Sequence, residues 1–225
     1  MVRLVLFDID GTLLHTGGAG RKAFRHTFKT AFGLSDATDG IDFAGRTDTS
    51  LVREVLVRHK VDPTPHHYDD FFSAYYFWLD HILHQNEGRP CPHAPEFMEQ
   101  VRQLSHSPVL GLLTGNVRLG AEIKLRHYNL WDGFVMGGFG GDSEDRNEIA
   151  RVAYRRGCEL LGEKLRGDEV LVIGDTPLDV ACARAISARC LAVATGTTSV
   201  EELASLGPTW AVADLSHCTA EEVCS

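Results

Sequence analysis

No hydrophobic run in this chain approaches the roughly 20 residues that a membrane-spanning helix requires, so no span is expected. Only four apolar residues separate Arg3 from Asp8, too few for the apolar centre of a secretory leader. The six cysteines (Cys91, Cys158, Cys182, Cys190, Cys218 and Cys224) contain no C-x-x-C spacing. That removes the usual signals for zinc ribbons and dithiol redox sites and leaves small core residues in a reducing compartment. A cytoplasmic location is the resulting expectation. A basic excess is also missing. With 22 Lys and Arg against 31 Asp and Glu, the net charge of −9 argues against a nucleic-acid partner, which needs a basic face. No internal repeat or low-complexity tract is present.

What is there reads as an ordinary globular chain. At 225 residues, 44% hydrophobic and 24% charged, it fits one large domain, or a core with a smaller insert. Its first dozen residues organise the rest. The run Val2-Arg3-Leu4-Val5-Leu6-Phe7 is aliphatic without alternation, as in a strand buried on both faces. It ends on Asp8-Ile9-Asp10-Gly11-Thr12. In a strand, residues two apart share a face, so Asp8 and Asp10 are expected side by side at its carboxyl end. Two carboxylates that close repel unless a cation or proton lies between them. Asp-Gly alone is also a common turn dipeptide.

Residues 19–90 are read as helical. Phe24, Phe28, Ala31 and Phe32 recur at helical spacing before Gly33. Asp48 is a candidate N-cap for a helix carrying Leu51, Val52, Val55 and Leu56. An aromatic helix over 68–83 follows the break at Pro63-Thr64-Pro65, and 86–92 is the return linker. From residue 94 strands and helices alternate. Strands are expected at 108–113, 134–136, 169–173, 190–194 and 210–213. One helix starts near Asn116 with Leu119, Ile123 and Leu125 inward. Another covers 147–162, and a third opens at Thr176-Pro177. Ser199 and Glu202 suggest a capping box. The pattern predicts an α/β fold, a doubly wound Rossmann-like parallel sheet (1–16 and 91–225), with an inserted α-helical domain (17–90).

Ligands of such sheets bind outside the carboxyl ends of the strands. Three strand ends here are polar: Asp8-Ile9-Asp10, Thr114-Gly115-Asn116 and Gly174-Asp175. Gly137-Gly138-Phe139-Gly140-Gly141 lacks phosphate-loop spacing and is read as a loop beside the site. His66-His67, His81 and His84 lack a third matched ligand and are read as a solvated face.

Asp8-Ile9-Asp10-Gly11-Thr12 resembles the first motif of the haloacid dehalogenase superfamily. Thr114 is similar to the second, and Gly174-Asp175-Thr176-Pro177-Leu178-Asp179 to the fourth. Arg146 stands in the region of the third, where the family usually has Lys. The helical insert is similar to the cap of the phosphoglycolate-phosphatase-like branch. The resemblance implies a phosphatase of small phosphorylated metabolites. Asp8 would be the nucleophile. Asp8 and Asp175 would bind Mg²⁺ by side chain and Asp10 by its carbonyl, with Asp179 near the metal or reaching it through a water. The Asp10 carboxyl would then move protons for the leaving group and for water. Thr114 and Gly115 would hold phosphate oxygens, with Gly11, Thr12 and Asn116 also at the substrate, and Arg146 would add positive charge. Arg46, in Gly45-Arg46-Thr47-Asp48, would read a second anionic group. Either a monomer or a homodimer is compatible with the aromatic cap.

Other functions stay open on the sequence. A phosphosugar mutase shares the aspartates and differs in the cap. Phosphonate hydrolysis would need a cap lysine, for which Lys22 and Lys29 are available. Dehalogenation is disfavoured by the acids that imply a metal. A non-enzymatic phospho-Asp switch or binding module is a further alternative, although a receiver domain would not carry the helical insert.

Overall fold

A computed structural model describes residues 1–225. In chain order the elements are β1 (Leu4–Phe7), β2 (Leu14–His15), α1 (Ala19–Phe32), α2 (Asp48–Arg58), α3 (Pro65–Leu83), β3 (Arg89–Pro90), α4 (Ala94–Gln103) and β4 (Val109–Leu113). They continue with α5 (Arg118–His127), β5 (Met136–Gly138), α6 (Arg146–Leu161), β6 (Val170–Gly174), α7 (Pro177–Ala185), β7 (Arg189–Val193), α8 (Val200–Ser205), β8 (Trp210–Val212) and α9 (Ala220–Cys224).

Six strands form one parallel sheet in the order β5-β4-β1-β6-β7-β8. β1 is central and wholly buried, which explains its unbroken apolar run. Its side chains divide by period two. Val5 and Phe7 join a cluster with Phe97, Met98 and Val101 of α4 and Leu125 of α5. Leu4 and Leu6 join the opposite one, with Ile149 and Ala153 of α6 and Val180 of α7. Helices therefore cover both faces, as the alternating pattern predicts.

Helices α1–α3 build a separate aromatic cluster around Phe24, Phe28, Phe71 and Tyr75. Phe24 meets Tyr75 edge-on at 4.9 Å between ring centroids, a favoured aromatic geometry. Ala31, expected among the inward residues of α1, is exposed. The block holds no strand of the main sheet, but its exit is not a plain linker. Arg89–Pro90 pairs antiparallel with Leu14–His15, tying the entering and leaving chain together.

Some expectations need correction. Thr47, not Asp48, caps α2, because its side chain accepts the Ser50 N–H at 3.2 Å. Pro65 does not merely break a helix; it opens α3, where its missing N–H costs nothing. β5 lies at Met136–Gly138 rather than 134–136, since pairing with β4 overrides the poor strand preference of glycine. Leu119 is 45% exposed, while Lys124 on the same helix is buried. The α5 face is thus set by a polar contact. Ser199 accepts the Glu202 N–H, one half of the capping box.

The six cysteines are free thiols, buried or half-buried. No helix is long and apolar enough to cross a membrane.

Candidate active site

β1, β4 and β6 lie side by side, so their carboxyl ends meet on one rim. Asp8 follows β1, and its amide extends the ladder to Ile173 O at 2.9 Å. Asp175 follows β6, and Asp179 sits in the first turn of α7. Oxygens of Asp8, Asp175 and Asp179 all lie within 4.8 Å of one another, and all three residues are buried. Gly11 has φ +89° and supports this packing: a Cβ there would stand 2.4 Å from Asp175 Oδ2. Thr12 Oγ1 donates to Asp175 Oδ1 at 2.9 Å.

The electrostatics follow from burial. Desolvation, followed by the charge of Asp179, pushes Asp8 up to about 7 against the pull of Arg146. Burial and the charges of Asp179 and Asp8 push Asp175 up to about 8. An oxygen-only cluster of this kind is suited to a hard cation such as Mg²⁺, which would relieve the repulsion. Asp8 and Asp175 have oxygens to offer. Asp179 is more committed. Its Oδ2 accepts Thr176 N at 3.1 Å and Thr176 Oγ1 at 2.7 Å, and its Oδ1 accepts from Arg146.

Arg146 is the first residue of α6, capped by Asp145. It is buried, with Nη1 3.6 Å from Asp8 Oδ1 and Nη2 bound to Asp179. A solvated helix-start arginine is thereby excluded.

Asp10 departs from the strand rule. β1 ends at Phe7, and a turn closes as the amides of Thr12, Leu13 and Leu14 all bond Ile9 O. The alternation lapses there, so the Asp10 carboxylate does not share the Asp8 cluster. It turns to Lys124 and Asn116 instead. Lys124 Nζ donates to Asp10 Oδ1 at 2.9 Å and Oδ2 at 2.6 Å, and Asn116 Nδ2 donates to Oδ2 at 2.8 Å. Desolvation works to raise the Asp10 pKa, but the charge and hydrogen bonds of Lys124, with Asn116, bring it below the usual carboxylate value. Lys124 was not singled out by sequence. It stands between Ile123 and Leu125 on a helix, with no local mark to distinguish it from a solvated lysine.

Thr114 is fully buried, and its Oγ1 accepts from Asn116 N at 3.3 Å and Nδ2 at 2.9 Å. Gly115 seats the helical block: its carbonyl accepts the Asp48 amide at 2.8 Å, while Asp48 Oδ2 accepts Val117 N at 2.8 Å. Burial pushes Asp48 up to about 6, against the Lys124 charge and the Val117 N–H. Thr49 Oγ1 donates to Gly140 O at 2.7 Å, so the glycine-rich segment also meets the block.

A cavity of about 570 Å³ opens between the two parts. Asp10, Asp175, Asn116 and Lys124 line it from the sheet, and Arg21 and Arg46 from the helical side. Arg46 also pairs with Glu54. Neither Lys22 nor Lys29 lines the cavity, and Lys22 is taken up by Asn86 at 2.6 Å. His66, His81 and His84 are exposed, whereas His67 is half-buried with Nδ1 2.6 Å from Asp62 O.

The chain is similar to known proteins in sequence and in fold. Over 212 residues the chain is 23% identical to the pyrophosphatase candidate PpaX of Clostridium perfringens, covering 92% of this chain and 91% of the relative. The fold is similar to CbbY of Rhodobacter sphaeroides, crystallised with phosphate (TM-score 0.69, 19% identity, 92% of this chain and 97% of that one). It is also similar to a predicted phosphatase of Clostridium acetobutylicum (TM-score 0.72, 18% identity, 99% and 98%). The family model "haloacid dehalogenase-like hydrolase" matches residues 2–186, and the chain belongs to that family of hydrolases.

Proposed function

We propose that this hydrolase is a Mg²⁺-dependent phosphatase of small phosphoesters that acts through a phosphorylated Asp8. The observation that carries the reading is the buried cluster of Asp8, Asp175 and Asp179, of which Asp175, together with Asp10, lines a cavity reached by Arg46 and Lys124.

Phosphoryl transfer needs a nucleophile, positive charge on the phosphoryl oxygens and a proton for the leaving group. Asp8 attacks phosphorus, forming an acyl phosphate as the ester P–O bond breaks. Asp10, ionised beside Lys124 in the free protein, takes up a proton from solvent and gives it to the leaving oxygen. The resulting carboxylate then takes a proton from the water that cleaves the acyl phosphate. Arg146 keeps Asp8 oriented and adds positive charge beside it. Thr114 and Gly115 hold phosphate oxygens, while Asn116, its amide spent on Asp10 and Thr114, orients that rim, and Gly11 and Thr12 shape the floor. Asp8 and Asp175 side chains and the Asp10 carbonyl would hold Mg²⁺, with Asp179 bracing the site through Arg146. When bound, the ion supplies charge neutralisation for the phosphate and the nucleophile.

The helical block acts as a cap that selects substrate. Arg46 and Arg21 favour a substrate with an anionic group remote from the transferred phosphate. CbbY, whose fold this chain shares, has been crystallised with xylulose-(1,5)bisphosphate.

The test is turnover of p-nitrophenyl phosphate and a panel of phosphorylated metabolites with Mg²⁺. The wild type should release phosphate, and Asp8→Asn should reduce release to background while keeping the fold. Substantial turnover by Asp8→Asn would remove Asp8 as nucleophile. An isomerised phosphosugar without phosphate release would mark a mutase instead.

A further inference from the structure

Asp10 is the most exposed of the four aspartates at the site, with 45% of its side chain accessible. A short side chain at that exposure holds one rotamer only where something fixes it. Two groups do. Asn116 donates one hydrogen bond, at 2.8 Å, and Lys124 donates two, at 2.6 and 2.9 Å.

Lys124 itself is an anomaly that demands a role. Its side chain is 5% exposed, where an ammonium survives only if fully partnered. An ammonium has three donors. Those of Lys124 point to Asp10 Oδ1, Asp10 Oδ2 and Asn116 Oδ1, the last at 2.6 Å. With the donors used on the protein, none is left for a substrate oxygen. Asn116 is oriented in turn: its Oδ1 accepts from Lys124, while its Nδ2 donates to Asp10 and to Thr114 Oγ1. The result is a ladder from Thr114 through Asn116 and Lys124 to Asp10. It links the end of β4 to the loop after β1 through a helix.

We propose that Lys124 is a positioning residue that fixes the Asp10 carboxylate for proton transfer through this ladder. The role rests on the phosphatase reading, in which Asp10 serves the leaving group and then the water. A proton donor works only within hydrogen-bond reach of the atom it serves. Misplacement by about 1 Å can cost roughly 100-fold in rate.

A double-mutant cycle tests this, with p-nitrophenyl phosphate and Mg²⁺. K124M should lower kcat by about 10- to 100-fold and leave KM within about twofold. In a D10N background the same change should cost less than about twofold more, because the group it positions is already gone. The urea midpoint of the metal-free protein in EDTA provides a readout independent of activity. K124M should lower it beside Asp10, and the loss should vanish or reverse in D10N. If K124M does not fold, K124R is put through the same cycle with the same expected non-additivity.

Equal kcat losses in both backgrounds would overturn the proposal, placing Lys124 on the substrate. Raised KM at unchanged kcat, or no kinetic effect, would overturn it too. An inert wild type would instead overturn the phosphatase reading, whereas additive losses in an active enzyme overturn only the role of Lys124.

Discussion

Arg146 Nη1 lies 3.6 Å from Asp8 Oδ1 while its Nη2 is bound to Asp179 Oδ1. One planar guanidinium thus bridges two buried carboxylates, one after β1 and one in the first turn of α7. The fork geometry matters, because an ammonium is a point charge that cannot span both in the same way. The Nε of Arg146 has no partner within the chain, so this buried side chain is held by its two terminal nitrogens.

Arg146→Lys should therefore keep the charge and lose the bridge. We expect kcat to fall about 10-fold for Lys and about 100- to 1,000-fold for Ala, on the scale of losing an oriented charge at a transition state. Arg146→Ala should also lower the melting temperature, more at pH 8 than at pH 5, where the buried Asp8 can protonate. Wild-type rates for Arg146→Ala would move the positive charge of the site elsewhere.

The raised carboxylates set the pH response of the metal-free protein. Asp8 at about 7 and Asp175 at about 8 both lie above the ordinary 3.8. Between these values the folded chain binds more protons than the unfolded one, so stability falls as pH rises through that window. On the proposed reading, Mg²⁺ would replace those protons and stabilise the folded state by mass action. Calorimetry in EDTA should show melting temperature dropping from pH 5 to 8, and added Mg²⁺ should restore more at pH 8. An Mg²⁺ effect that is equal at both pH values would remove the cation from this cluster.

Arg46 lines the cavity opposite the acids. Arg46→Ala should raise KM about 10-fold for substrates with a second anionic group, the worth of one charged hydrogen bond. For p-nitrophenyl phosphate the KM should stay within about twofold. Steady-state kinetics on the two substrate types settles it. Equal effects on both would place Arg46 at the transferred phosphate or in the fold.

Gly115 is where the cap loop touches the sheet. A Cβ there would stand 2.1 Å from Arg46 O. Gly115→Ala must push the cap loop away, at about 1–3 kcal/mol for the overpacking. Chemical denaturation should report the loss. Turnover of every substrate should fall together, because Asp48 and Arg46 move with the loop. A variant with unchanged stability and turnover would show that this contact yields freely.

Much of this molecule was legible in local pattern. The unbroken run of β1, the acids after β1 and β6, and the alternation from residue 94 onward each follow from hydrophobic burial acting over a few residues. They suffice for a parallel sheet with polar strand ends on one rim. The helical block was likewise legible from its aromatic spacing. The short α9 was not, since five residues carry no period; it packs on α4, and Val2 N bonds Cys224 O just ahead of β1.

The sequence by itself determined which residues stand at the strand ends, because burial and strand spacing are local. Only the tertiary structure decided how those ends share their charges. It separated Asp8 from Asp10, because the turn onto Ile9 O breaks the strand alternation. It engaged both Asp179 oxygens with Thr176 and Arg146. It also turned Lys124 inward, more than 100 residues from the carboxylate it binds, because an ammonium can be buried only where three acceptors converge.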